Sequence, residues 1–272
     1  MTATARVTDG GAVRRFWRGL GYPLSGLGEL ARTPALWRHA ALLILLALGA
    51  LGLVGWLTLR WGGTLVEGIW AAPEGEGFWT GVLSAVHAVY AFVLWAGLAL
   101  VAYYLWLMLT SLVTAPVKDA LSELVEARRT GKPGPPFTLG ALLAEVGRTL
   151  RVEGGKLLLY AAVMLPLYGL SFAVPVVGQV LLTIVGWYFT SLFLAFDYLD
   201  WPMARRGWGF RARARALGRS NRAVALGFGT ACWLLLLVPF LNVLLIPGAV
   251  VAGTNLFVDL DDAGAFAGTG TK

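Results

Sequence analysis

The residues that could do chemistry in this chain are mostly arginines, and they fall in two groups. The first is RTPALWRH, residues 32–39, where Arg32 and Arg38 flank Pro34. Proline suits the first turn of a helix. Backbone N–H groups at such a start, together with the helix dipole, favour an anion such as sulfate or phosphate. Arg38, with the backbone N–H groups of Leu36 and Trp37, is therefore a candidate anion-binding set. The competing reading is plain positive flanking of a membrane span. The second group is Arg205, Arg206, Arg211, Arg213, Arg215, Arg219 and Arg222, a stretch without an acid. At about 100° per residue, Arg211, Arg215, Arg219 and Arg222 share one narrow face of a helix over 209–223. Such a face is expected to meet lipid headgroups on the cytoplasmic side. An anion-collecting vestibule is the sharper alternative. Nucleic acid is disfavoured, because no aromatic interleaving or recognised binding fold accompanies the arginines.

The remaining reactive types are sparse. Asp197 and Asp200 precede the arginines and are expected to pair with Arg205 or Arg206 rather than to form an acid/base site. His39 reads as an interfacial residue and His87 as a packing residue, with a proton-linked role for His87 as the alternative. The single cysteine, Cys232, allows no disulfide within the chain, and two histidines give no metal-ligand spacing with it. No nucleophile elbow or phosphate loop occurs. An enzyme, a metal site and a cofactor are not expected.

The elements that must carry these residues are apolar helices. Of 272 residues, 58% are hydrophobic and 14% charged, against about 25% charged in soluble domains. Residues 39–59, 77–117, 157–196 and 223–258 contain no Asp, Glu, Lys or Arg. Runs this long read as membrane candidates. The first lacks a small-residue cleavage site and reads as a retained span over about 39–59. The second suits a tilted or protruding helix over about 78–113, with Trp79, Tyr103, Tyr104 and Trp106 as interfacial rings. The last two runs are each interrupted. Pro175 and Gly178 break the first, and Pro239, Asn242 and Pro247 break the second. Their halves are too short to cross a bilayer core of about 30 Å. Each reads as a helical hairpin that dips in and returns, over about 157–196 and 223–258. Interrupted segments in matching positions also point to a binding or translocation site. Irregular backbone at that depth has to be buried in protein or line water. That favours packing within a bundle or an oligomer.

Around these runs, 1–15 and 263–272 read as disordered tails, and 16–262 as a single membrane domain. Residues 16–33 suit a short interfacial helix. Residues 119–129 and the stretch from Leu139 to Leu150 suit two short amphipathic helices separated by TGKPGPP. The net charge of +7 is explained by topology. Lys and Arg concentrate before residue 39, in the middle segment and after residue 204, with only Arg60 in the intervening outer loop. Both termini are then cytoplasmic.

Five ordered motifs resemble one family. They are TPALWRHAALLILL (33–46), APVKDALSELVEARRTG (115–131), VPVVGQ (174–179), LAFDYLDWPMARRGWGFRAR (194–213) and VPFLNVLLIPGAVVAGTNLFVD (238–259). Together they resemble the CysZ and etoposide-induced-protein domain family, over about residues 20–262. The resemblance implies an all-α integral membrane protein of a bacterial inner membrane. It implies two long transmembrane helices, two broken, hemi-penetrating helical hairpins and a homo-oligomeric assembly among membrane lipids. Its best-studied branch comprises sulfate permeases that supply cysteine synthesis. In those permeases a proline–glycine–aliphatic–arginine–arginine motif at the start of the first long helix binds sulfate. The corresponding residues here are Pro34, Ala35, Leu36, Trp37 and Arg38, so one arginine of the pair is kept and the glycine is replaced. The function expected is a permease for sulfate or a similar small oxyanion. The alternative is a non-transporting membrane protein that organises lipids or protein partners.

Overall fold

A computed structural model of the chain describes residues 7–132, 139–218, 221–238 and 241–267. Among the described residues eight helices follow in order: α1 (Ala12–Arg32), α2 (Pro34–Ile69), α3 (Phe78–Thr130), α4 (Leu139–Ala173), α5 (Pro175–Arg205), α6 (Phe210–Gly218), α7 (Arg222–Leu236) and α8 (Leu241–Asp262). No strand occurs among the described residues. The chain divides into two compact units, Ala41–Ala115 and the remainder, Met1–Ala40 with Pro116–Lys272.

In the unit Ala41–Ala115, the two long helices run antiparallel. Trp106 Nε1 donates to the Ala47 carbonyl at 3.3 Å, and Tyr90 Oη donates to the Val66 carbonyl at 2.9 Å. Between these rungs the Trp95 ring lies against Gly62, where a Cβ would come within 2.6 Å of it. Near the loop end, Trp70, His87 and Tyr90 form an aromatic cluster with ring centroids 5.1 to 5.7 Å apart. His87 Nε2 lies 3.1 Å from the Trp70 carbonyl. His87 thus has the packing surroundings expected of it.

Among the described residues three helices, α2, α3 and α5, are long and apolar enough to cross a membrane. The expected spans over 39–59 and 78–113 lie within longer helices. At about 1.5 Å per residue, α2 extends roughly 54 Å and α3 roughly 80 Å, against a bilayer core of about 30 Å. The short amphipathic helix expected over 119–129 is not separate, because α3 continues through Pro116 to Thr130. The proline removes one ladder hydrogen bond. Side-chain ties to Asp119, Ser122, Glu126 and Arg129 hold the segment after it. Likewise α4 is one helix, not an amphipathic piece followed by a hairpin arm.

The other unit is built around α5, α7 and α8. Its core includes Leu199, Met203, Phe228, Cys232, Leu245, Leu256 and Phe257, all with almost no exposed surface. Small residues let the backbones approach, as is common where apolar helices pack without a water-driven force. Gly229 of α7 sits against the Ser191 backbone of α5, and Gly253 of α8 against Tyr198. Gly19 and Gly26 of α1 rest on α7 and α8 in the same way. Beside the Gly229 crossing, Trp187 Nε1 donates to Thr230 Oγ1 at 3.1 Å, and the Ser191 and Thr230 hydroxyls share a bond of 3.2 Å.

α4 and α5 form an antiparallel pair. Ser171 faces Gly178, Met164 faces Gly186, and the Tyr160 and Phe193 rings lie 6.2 Å apart. The corner is at Val174, with Pro175 opening α5 and Gly178 lying on the Ser171 backbone where no side chain fits. The second interruption differs from expectation. The break falls between Leu236 and Leu241, and Pro239 lies outside the described residues. Asn242 and Pro247 are inside α8 and break nothing. The loss of one N–H at Pro247 is tolerated where the surrounding helix, from Leu245 to Leu256, is almost wholly buried.

Of the two expected tails, residues 1–6 and 268–272 lie outside the described residues, while the rest of each takes up ordered structure. α1 begins at Ala12, and Val7 is buried. Pro23 lies inside α1 without ending it. After α8, turns through Ala267 place Phe266 on Phe257 and Trp208, with centroids 5.1 and 5.2 Å apart.

Candidate functional site

The α1–α2 corner is made by Thr33, whose extended backbone separates the two helices. Pro34 then opens α2. The Leu36 N–H donates to the Thr33 carbonyl at 3.0 Å, and the Leu36 side chain is fully buried. Leu36 is therefore an anchor. Its amide proton is already used, which corrects its expected part as an anion donor. Trp37 is 53% exposed, and Arg38 next to it is exposed as well. Among the described residues Arg38 makes no ion pair or hydrogen bond. His39 Nδ1 is shielded and lacks a partner among them. The corner thus presents one guanidinium, an indole beside it and a second exposed arginine, Arg32, at the end of α1.

The arginines after residue 204 are arranged differently. Arg205 Nη1 donates to Asp119 Oδ1 at 2.5 Å, and its Nη2 to Glu126 Oε2 at 2.7 Å and to Ser122 Oγ at 3.0 Å. Arg206 pairs with Glu126 at 2.8 Å and with Asp261 at 3.3 Å, and lies 4.4 Å over the Phe257 ring. Arg213 is buried, donates Nε to the Trp208 carbonyl at 2.7 Å and pairs with Asp200. Arg129 pairs with Asp259, which also accepts from Tyr22 Oη at 2.6 Å. Burial, and then the bond to Asp259, push the Tyr22 phenol well above its ordinary range, so it remains a donor. The expectation that Asp200 pairs with Arg205 or Arg206 is corrected. Among the described residues it pairs with Arg213, because α6 turns back after Gly207 and brings that residue over the end of α5.

The single basic helix over 209–223 is not formed. α6 ends at Gly218, where Asn221 Nδ2 donates to the Ala216 carbonyl at 2.8 Å, and α7 starts afresh at Arg222. Arg211, Arg215 and Arg222 are exposed, and Arg219 lies outside the described residues. Arg215 Nε and Arg222 Nε donate to helical carbonyls four residues back. Pro175 is exposed at the α4–α5 corner, while Gly178 and Pro247 are buried. No hydrogen bond or ion pair connects Arg38 to these positions among the described residues.

Reading the sequence missed the arginine–carboxylate network as a unit. A signal for it existed. Asp119, Ser122, Glu126 and Arg129 recur at helical spacing, three or four residues apart, on one face of α3.

Comparison with known proteins adds a family to this geometry. The family model for sulfate transporter CysZ/etoposide-induced protein 2.4 matches residues 22–247. A protein named sulfate transporter CysZ from Pectobacterium atrosepticum is 33% identical over 163 residues, covering 59% of this chain and 58% of the relative. One of the same name from Salmonella typhimurium is 30% identical over 159 residues, covering 57% and 61%. Another from Pseudomonas aeruginosa is 33% identical over 159 residues, covering 58% and 63%. The match therefore spans about three fifths of the length of these relatives.

Proposed function

This chain belongs to the sulfate transporter CysZ/etoposide-induced protein family, and from that premise we propose that it is an inner-membrane permease for sulfate or a similar small oxyanion. The observation that carries the proposal is Arg38. It is exposed in the second turn of α2 and, among the described residues, holds no carboxylate. Arg129, Arg205, Arg206 and Arg213 are each held by one or more acids. An anion needs an arginine whose charge is not already matched, and Arg38 meets that requirement.

Arg38 is the contact residue in this reading. Trp37, without an arginine's forked donors, offers one indole N–H and an apolar wall. Leu36 fixes the corner from below. The proposed membrane arrangement has α2 and α3 crossing. The α4–α5 pair and the α7–α8 pair enter partway as hairpins and shape the path near Pro175 and Gly178. The apolar residues Phe172, Val176 and Val177, exposed at the α4–α5 corner, support insertion there. Both termini face the cytoplasm, and several copies assemble. The permease provides a route and a contact charge, with no covalent step and no nucleotide.

The experiment is uptake of radiolabelled sulfate into proteoliposomes. Uptake above that of empty liposomes, lost in Arg38→Ala, is expected. Uptake equal to empty liposomes under several imposed gradients rejects the permease reading.

A further inference from the structure

α1 has three different sides. At about 100° per residue, Gly19, Pro23, Gly26 and Leu30 form one side, and all four are buried. That side is clamped to α7 and α8 through Gly19 and Gly26. A second side carries Val13, Trp17, Leu24 and Ala31, which fall within about 40° of arc. Val13 is 72% exposed, Trp17 66% and Leu24 59%. A third side, about 80° round from that stripe, carries Arg14 and Arg32 at its two ends, both exposed. The only acid on the helix, Glu29, accepts from Asn255 Nδ2 at 2.6 Å and belongs to the packed side.

An exposed apolar stripe is costly in water in proportion to its area. A tryptophan within the stripe and arginines along its edge are the pattern of a helix lying in a membrane surface. The missing negative charge is supplied by anionic headgroups, which attract basic residues near such a surface. We infer that the Val13–Trp17–Leu24–Ala31 stripe of α1, edged by Arg14 and Arg32, is a docking face for an anionic phospholipid leaflet. The face is rigidly joined to the core. Besides the glycine contacts, Tyr22 on α1 donates to Asp259 on α8, and Asp259 pairs with Arg129.

The test places a spin label on the full-length protein in vesicles. Leu24→Cys reports the stripe, Val13→Cys is a second site on it, and Ser25→Cys reports the polar side. The buried Cys232 makes the unsubstituted chain the blank. In vesicles of phosphatidylcholine with phosphatidylglycerol, labels at 24 and 13 are expected to collide more with oxygen than with a water-soluble nickel complex. The label at 25 is expected to show the reverse. The preference at 24 should shift toward water in pure phosphatidylcholine, and in the Arg14→Gln/Arg32→Gln variant. Nickel access at both 13 and 24 in the anionic vesicles overturns the inference. Equal lipid exposure in both compositions overturns the role of charge. Shielding from both reagents overturns it in favour of a protein covering, such as a second copy.

Discussion

Arg205 Nη2 and Glu126 Oε2 meet at 2.7 Å, with Arg205's side chain only 9% exposed and Glu126's 17%. This contact fastens the end of α3 to the end of α5. Through Ser122, which bonds Thr254 Oγ1 at 2.8 Å, it reaches α8 as well. Removing one partner of such a pair leaves an uncompensated charge in a water-poor place. Arg205→Ala should destabilise the protein in detergent by about 3 kcal/mol. Arg211→Ala, at an exposed position, should change it by less than about 0.5 kcal/mol. Denaturant unfolding of the two variants checks the contrast. Equal effects would show that the cluster is a surface pair in energetic terms.

The corner at Thr33 predicts a gain of function. Trp37 stands where the resemblance implies an arginine in the sulfate-binding motif, and its side chain is half exposed. A second guanidinium at that position adds a charged hydrogen bond to an oxyanion, worth about 1.5–3 kcal/mol. Trp37→Arg should therefore tighten sulfate binding by roughly tenfold or more. Isothermal titration of purified protein measures it. No change in affinity would mean that residue 37 does not face the anion.

The Gly229–Ser191 crossing predicts intolerance of a single methyl group. A Cβ at 229 would overlap the Ser191 backbone, whereas one at Gly209 would meet nothing within 4 Å. Gly229→Ala should cost roughly 1–3 kcal/mol by forcing α5 and α7 apart. Gly209→Ala should leave the unfolding midpoint nearly unchanged. A tolerated Gly229→Ala would mean that the two helices are less closely packed than described.

Next to that crossing, Thr230 accepts from Trp187 and shares a bond with Ser191. Thr230→Val keeps the shape and strands both partners. Interhelical bonds of this kind contribute about 0.6 kcal/mol each in membrane proteins, so a loss of about 1 kcal/mol is expected. Trp187→Phe alone should lose about half of that. Thermal unfolding of the pair resolves the difference.

Much of this architecture was legible in the residue pattern, and the exceptions have physical causes. The charge-free runs located the apolar helices, because a bilayer core excludes charge regardless of neighbours. Pro175 marked a corner, because Val174 departs from helical backbone geometry there and Gly178 allows close return. Pro116, Pro166 and Pro247 look the same in sequence but lie within helices. Pro247 is buried among its surroundings, which no local pattern reveals. The same limit hid the partner of Asp200. Its nearest arginines in sequence are Arg205 and Arg206, but the turn through Gly207 delivers Arg213. At the candidate site, the exposed position of Arg38 near the start of α2 was readable from its place before an apolar run. The use of Leu36's amide by Thr33 was not, since it depends on the geometry of the α1–α2 corner.

The central claim is that Arg38 carries the contact with the transported oxyanion. Its most direct measurement is the initial rate of radiolabelled sulfate uptake into proteoliposomes holding equal amounts of folded wild type, Arg38→Ala and Arg211→Ala. Uptake by wild type and Arg211→Ala is expected, with a fall to the empty-liposome rate in Arg38→Ala. Undiminished uptake by Arg38→Ala would contradict it.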